Sequence, residues 1–512
     1  MKNNNFYITT PIYYPSGEPH IGHAYSSIIA DVLARFKKND NYNVFFLTGT
    51  DEHGLKIQKA AEKKGLSPID FCNRLSKVFQ NFNEKLNLSN NDFIRTTEKR
   101  HHAAVYELWN RLLSSGDIYL SKYKGWYSIS DEAYYNSKEI DTKGEKKFAI
   151  ESGSEVNWVE EDSYFFKLSS WEGKLLEFYE NNKNFIIPEA RRNEVISFVK
   201  GGLQDLSISR TSFSWGIEVP NKKGHIIYVW LDALTNYLSA LNFPNTNDEL
   251  FKKYWPASLH VIGKDILRFH AVYWPAFLLA ANIKPPKRIF SHGWILSDDK
   301  KMSKSRGNIL NPIEIIKDYG VDQLRYYLMK EVSHGSDGSI SLKNLENCIN
   351  SDLANNYGNL CQRIFSFVSN NCNNKVSRTK KLSRSDKSII LETNKLMSDL
   401  RSMMNEQNLN SYIKSVINIS FLTNKYINDE EPWKLKKTNI EKMTNILHIS
   451  LEQIAKISLL LNPIIPTATS KVLDALNIKK ESRKLTFLDG EDIIPNNIVI
   501  NNLTILFNKI TK

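Results

Sequence analysis

Cysteine is scarce in this 512-residue chain, which has only Cys72, Cys348, Cys361 and Cys372 and no C-x-x-C pair. Such spacing gives no disulfide framework and leaves reduced thiols as the expected state. No run of about eighteen apolar residues occurs, and Met1 to Phe6 contains no apolar leader core, so neither a membrane span nor a secretory signal is expected. A cytoplasmic location follows as the expectation. Internal repeats are also missing, and low complexity is confined to Asn-rich patches such as Asn370 to Asn374. What remains is ordinary for globular proteins: 41% hydrophobic and 24% charged residues, over a length that suits three or four domains. The formal charge is +12. Residues 351–512 hold 23 Lys and Arg against 15 Asp and Glu, so most of the excess lies in the last third. A basic C-terminal region fits a polyanionic partner bound through phosphates, and fits a solvated basic surface equally.

The apolar pattern divides the chain. Phe6-Tyr7-Ile8-Thr9-Thr10-Pro11-Ile12 is β-branched and aromatic, which predicts a buried strand, and the stretch from Pro15 to Pro19 breaks it. Ile28, Ile29, Val32, Leu33 and Phe36 then recur at helical spacing. Val44-Phe45-Phe46-Leu47 predicts a second strand that runs into the polar turn Thr50-Asp51-Glu52-His53-Gly54. Strand, turn and helix in this rhythm predict an α/β fold with a Rossmann-like, doubly wound parallel sheet, whose ligands sit beyond the carboxyl ends of its strands. An aromatic-rich, mostly β and mixed insert is expected to split that catalytic domain at about 116–220. The sheet is expected to resume at Ile226-Ile227-Tyr228-Val229-Trp230 and again at Leu259-His260-Val261-Ile262-Gly263. Amphipathic helices follow one another from about 346, so an all-α helical bundle is expected there. The expected division is 1–115 and 221–290 for the two catalytic halves, 116–220 for the insert, 291–345 for a lysine-loop region and 346–512 for the bundle.

Two short strings carry the chemistry. His20-Ile21-Gly22-His23 falls where the first strand hands over to the first helix. Backbone N–H groups at a helix start attract phosphate, Gly22 allows close approach, and His20 and His23 add donors. Lys301-Met302-Ser303-Lys304-Ser305, followed by Arg306-Gly307-Asn308, suits a loop rather than a helix interior. On closing, Lys301 and Lys304 would stabilise the charge that develops on transferred phosphates. Together the strings predict activation of a carboxylate by ATP, with the triphosphate gripped from two sides.

With these residues in view, the chain resembles the class I aminoacyl-tRNA synthetases, and within them the methionyl-tRNA synthetase family, over essentially its whole length. The resemblance runs through Thr10-Pro11-Ile12-Tyr13-Tyr14, Thr50-Asp51-Glu52-His53-Gly54, Tyr228-Val229-Trp230-Leu231-Asp232-Ala233, Gly263-Lys264-Asp265-Ile266, Phe269-His270 and His292-Gly293-Trp294. It implies that Asp51 holds the ammonium of L-methionine, with Arg210 beside it supporting the carboxylate. Tyr14, Trp230, Ala233, Leu234, Ile266, His270 and Trp274 would wall the side-chain pocket. The backbone N–H of Ile12 and the hydroxyl of Tyr237 would face the thioether. Gly22, Gly263, Asp265, His292, Gly293, Ile295 and Lys304 would bind ATP, with Gly263 and Asp265 at the ribose and the Ile295 backbone at adenine. His53 stays open between stabilising its turn and facing substrate. In the bundle, Asn355, Asn359, Arg363, Pro432 and Trp433 would read the anticodon of tRNA(Met), Trp433 by stacking on an unpaired base.

The chain departs from many relatives at one place. Those relatives carry a four-cysteine zinc knuckle in the insert, whereas residues 116–220 contain no cysteine, so no protein-bound zinc is expected. The bundle ends the chain at Lys512, without the extra C-terminal domain of some relatives, and a monomer is expected. The implied activity is a methionine–tRNA ligase using ATP with Mg²⁺. The alternatives are a catalytically inactive tRNA-binding paralogue and another class I synthetase.

Overall fold

The computed structural model describes residues 4–297, 300–301, 310–332, 335–379 and 381–511. A parallel sheet forms the centre, from β1 (Asn5–Tyr13), β2 (Asn43–Thr50), β3 (Asp92–Arg95), β4 (Ile186–Ile187), β5 (Leu259–Gly263) and β6 (Ile289–His292), in the order β3-β2-β1-β5-β6-β4. Every pairing in it is parallel. Fully buried parallel strands read as continuous apolar or β-branched runs, as β1 and β2 do. The strand order reverses at β1, which pairs with β2 on one side and β5 on the other. Pairing between β1 and β5 is confined to Ile8–Leu259 and Thr9–His260. Pairing of β1 with β2 shifts between Thr9 and Ile12, around Pro11, which has no N–H to give the ladder. The crevice at the carboxyl ends therefore opens where a doubly wound sheet binds its ligands. Helix α1 (Ile21–Asn39) leaves β1 into this crevice, and most of its residues are buried because sheet and bundle cover it from two sides.

Two expectations about the sheet are corrected. Ile226–Ile227 does not rejoin it; this pair forms a two-stranded antiparallel ribbon with Ser209–Arg210, and a helix covers Val229–Leu234. A short apolar run fits a buried strand or a buried helix equally, and here packing on all sides selected the helix. The central sheet instead gains β4, from within the span expected to be insert, because Ile186 and Ile187 pair with Ile289 and Phe290. The antiparallel sheet of the insert comprises Ile118–Ser128, Ala133–Tyr135, Ile140–Lys143, Lys146–Ala149 and Glu155–Phe166.

The C-terminal region is helical, with Leu409–Glu430 and Ile440–Leu461 as its longest members, plus one strand pair, Lys375–Ser377 with Asn497–Val499. Its apolar core is continuous with that of α1. Arg325, fully buried, joins the two: it donates to Asp31 of α1 at 2.6 Å and to the carbonyls of Leu86, Pro463 and Ile464. Among the described residues, no helix is long and apolar enough to cross a membrane.

Candidate active site

The crevice is a cleft of about 790 Å³. Its lining includes Ile12, Tyr14, His20, Gly22, His23, Asp51, Trp230, Ala233, Leu234, Tyr237, Gly263, Asp265, Ile266, His270, His292, Gly293 and Ile295. Residues separated by more than 270 positions thus meet around one space.

The two histidines of the first turn cap α1 in place of the usual serine and glutamate. The His20 ring accepts the Gly22 N–H at 3.1 Å through Nδ1, and His23 Nδ1 accepts the His20 N–H at 3.0 Å. With both Nδ1 atoms accepting, each neutral imidazole carries its proton on Nε2. The rings stack at 3.8 Å. Burial, then the neighbouring His20 and Lys56, push the His23 pKa well below its ordinary value, so this ring is a neutral donor. A Cβ on Gly22 would lie 3.0 Å from the His20 ring, so the smallest residue leaves that ring room over the helix start.

Opposite, β5 and β6 end side by side, with Gly263 paired to His292. A Cβ on Gly263 would sit 2.5 Å from Asp265 Oδ1, so only glycine lets that exposed carboxylate fold over the strand end. His292 is expected to bind nucleotide, but both of its ring nitrogens are already used. Nδ1 donates to the Gly293 carbonyl at 2.8 Å, and Nε2 accepts from the Ser26 hydroxyl at 2.7 Å. Its ring ties the end of β6 to the first turns of α1. Beyond Gly293, Ile295–Ser297 pairs with Lys300–Lys301, Leu296 opposite Lys301, so the backbone leading into the lysine string starts at the rim of this cleft. Met302 to Asn308, Lys304 among them, lie outside the described residues.

At the inner end, Asp51 is 2% exposed, and its Oδ1 has no hydrogen-bond partner. Burial, then the carboxylates of Asp232 and Glu132, hold its carboxyl well above the usual range. The carboxylates around it have partners of their own. Glu52 is held by Arg95 at 2.7 Å and Thr97 at 2.5 Å. Asp232 accepts from His53 and from His101, each at 2.7 Å. Burial raises the Asp232 carboxyl, but the two histidines outweigh it and hold it below the carboxylate range. His53 is thereby assigned to its turn and core rather than to the cleft. A buried carboxylate with one oxygen unpartnered, among carboxylates that are paired, makes a receptor for a small cation.

The apolar wall is built beside it. Trp230 stacks flat at 3.7 Å on Phe269, which also lines the cleft and whose apolar ring carries no signal of a role in the sequence. His270 Nδ1 donates to the Ile266 carbonyl at 3.0 Å, so Nε2 accepts from the Tyr237 hydroxyl at 2.8 Å. Burial lowers the His270 pKa to about 4, which keeps it neutral. The Tyr237 hydroxyl thus points its proton at His270 Nε2. Trp274 is fully buried 6.2 Å behind Tyr237 and backs the wall without lining the cleft.

A second exposed surface lies on the bundle. Asn355, Asn359 and Arg363 follow at helical spacing, and the Arg363 guanidinium sits 6.0 Å from the Trp433 ring. Arg363 donates to Asn428 at 2.7 Å, while its Nε and Nη2 have no partner. Pro432 is buried at the start of a short 3₁₀ turn, and it presents Trp433, 40% exposed.

A family profile described as tRNA synthetases class I (M) matches residues 6–365. The chain belongs to this family. A second profile, the anticodon binding domain of methionyl tRNA ligase, matches 376–512. Among curated relatives, the methionine–tRNA ligase of Rickettsia typhi is 49% identical over 513 residues, covering all of both chains. That of Brucella suis is 46% identical over 484 residues, 94% of each. The Mycobacterium tuberculosis methionyl-tRNA synthetase solved in complex with methionyl-adenylate superposes with a TM-score of 0.96 at 44% identity, covering 98% of this chain and 99% of that one. Its apo form gives 0.89 at 41% identity.

One expected contact is corrected. Arg210 pairs with Glu161, not with Asp51. The reason is local: the Glu161 side chain, on the strand Glu155–Phe166, is only 5% exposed and also accepts the Thr211 and Ser212 N–H groups, and a covered carboxylate recruits the nearest guanidinium. The Arg210 guanidinium lies 3.9 Å over the Tyr127 ring, one residue removed from Glu132.

Proposed function

We propose that this chain is a methionine–tRNA ligase: it joins L-methionine to the α-phosphate of ATP with release of pyrophosphate, then transfers methionyl to the 3′ end of tRNA(Met). The single observation that supports this best is the cleft in which the histidine turn, Asp51 and the strand entering the lysine string share one lining. In this reading Asp51 takes the amino acid's ammonium, which fixes the carboxylate for in-line attack on the α-phosphorus. The Nε2–H groups of His20 and His23 donate to phosphate oxygens, and Lys301 and Lys304 take up the charge that accumulates on pyrophosphate as it leaves. Mg²⁺ enters with ATP, as the metal complex of the triphosphate. Gly22, Gly263 and Asp265 line the path of phosphates and ribose, Gly293 and the Ile295 backbone receive adenine, and His292 holds the two halves in register.

Tyr14, Trp230, Ala233, Leu234, Ile266 and His270 enclose the side chain, with Trp274 behind them. The Ile12 backbone and the Tyr237 hydroxyl face the thioether, the hydroxyl by turning its proton away from His270. No covalent enzyme intermediate is needed. In the second step a terminal ribose hydroxyl of tRNA attacks the mixed anhydride, and AMP leaves. Asn355, Asn359, Arg363, Pro432 and Trp433 read the anticodon, 346–512 being the anticodon-binding domain. The enzyme acts as a cytoplasmic monomer. ATP–pyrophosphate exchange measured with each of the twenty amino acids tests the reading: exchange with methionine alone is expected, and exchange driven by another amino acid, or by none, overturns it.

A further inference from the structure

The cleft has a wall that none of the family's motif strings supplies. It comes from the turn of the insert between Ile118–Ser128 and Ala133–Tyr135, and Ser130 and Asp131 line the same space as Asp51. At the root of this turn stands Glu132, 1% exposed and held at φ 49°, a backbone setting costly for any residue but glycine. Its bonds account for the setting. Oε1 accepts the backbone N–H of Lys56 at 2.9 Å, Oε2 accepts the Tyr127 hydroxyl, and its carbonyl accepts the Tyr228 hydroxyl at 2.8 Å. The Lys56 ammonium in turn donates to the Ser130 carbonyl at 3.0 Å. Lys56 is the second residue of the helix Leu55–Glu62, directly after the turn that carries Asp51. Gly54 stands at φ 101°, and a Cβ there would lie 3.0 Å from Glu132 Oε1, so the carboxylate reaches the helix start only over a glycine.

We propose that Glu132 is a positioning residue for the amino-acid site: it clamps the insert onto the turn bearing Asp51 and adds a second negative charge to the ammonium's receptor. The inference rests on the methionine-activation reading above. Both Glu132 oxygens accept donors, as an ionised carboxylate does. The charged and titratable groups around it are Lys56 from the helix Leu55–Glu62 and Asp51 from the turn before it, Tyr127 on its own hairpin, Tyr228 and Tyr14 from the core, and Arg210 beyond Tyr127. Lys56 is drawn to Ser130 and lies 4.9 Å over the Tyr14 ring, so the nearest cation is engaged by the insert. The role also explains Arg210, whose guanidinium approaches the Asp51 neighbourhood only through Tyr127 and Glu132.

Glu132→Gln tests the charge while keeping an acceptor for the Lys56 N–H, and Glu132→Ala removes both. In pyrophosphate exchange, Glu132→Gln is expected to raise KM for methionine by roughly tenfold. Its kcat and its KM for ATP should stay within about twofold of the parent. The acid limb of kcat/KM for methionine should move to lower pH, because Asp51 loses a like-charged neighbour that resists its ionisation. Glu132→Ala should raise KM for methionine further. An unchanged acid limb with parental KM for methionine in Glu132→Gln overturns the proposal, as does an equal rise in KM for ATP and for methionine, the mark of general loosening. If the unmodified chain exchanges with an amino acid other than methionine, the functional reading fails instead. The two failures are therefore distinct.

Discussion

Replacing Asp51 by asparagine should stabilise the fold while weakening methionine activation. The carboxylate is buried, one oxygen has no partner, and Asp232 and Glu132 repel it. Its folded pKa lies above its unfolded value, so between the two the native state binds more protons than the unfolded chain. Stability therefore falls as pH rises through that window, and the penalty grows until the folded-state carboxyl has ionised. A neutral amide of the same shape escapes it. A buried unpaired charge costs more than a neutral polar group in the same place, and the difference is taken as about 1–3 kcal/mol. At roughly 1–2 °C per kcal/mol for a chain of this size, Tm at pH 7.5 should rise by about 1–6 °C. The gain should shrink as the pH falls towards 4, where the parent's own carboxyl is protonated. Catalysis should move the other way. A hydrogen bond to a charged group contributes about 1.5–3 kcal/mol, so kcat/KM for methionine should fall by roughly tenfold to 150-fold in pyrophosphate exchange. A thermal scan at several pH values and the exchange assay suffice. An Asp51→Asn protein no more stable than the parent at pH 7.5, or one that activates methionine at the parental rate, would refute the reasoning.

Three further outcomes are expected. Lys304→Ala should slow adenylate formation by at least about a hundredfold and leave methionine binding nearly intact; calorimetric binding that weakens as much as the rate would remove the loop from the transition state. Trp433→Ala should weaken aminoacylation of tRNA by about tenfold or more and spare tRNA-free exchange, and an equal loss in both assays would contradict base stacking. Arg325→Met should destabilise the protein by about 3–5 kcal/mol, since Asp31 and three buried carbonyls lose their shared donor. A Tm within about 2 °C of the parent would show that the link between α1 and the bundle carries little.

The linear chain by itself determined the chemistry and the alternation of elements. His20 and His23 follow a β-branched strand and open an amphipathic helix, and periodicity and capping act over a few residues, so both are readable from neighbours. The polar turn ending at Gly54 and the helical run after 346 were legible on the same ground. Tertiary structure alone decided which partners buried groups obtain. The assignment of Ile226–Trp230 to a ribbon and a helix, and of Ile186–Ile187 to the sheet edge, depended on what packed against them. The pairing of Arg210 with Glu161, of His53 and His101 with Asp232, and of Glu132 with the helix after Asp51 joins residues 49 to 179 positions apart. Such contacts arise because a desolvated charge must be satisfied by whatever the fold brings within about 3 Å, and no local pattern encodes that choice.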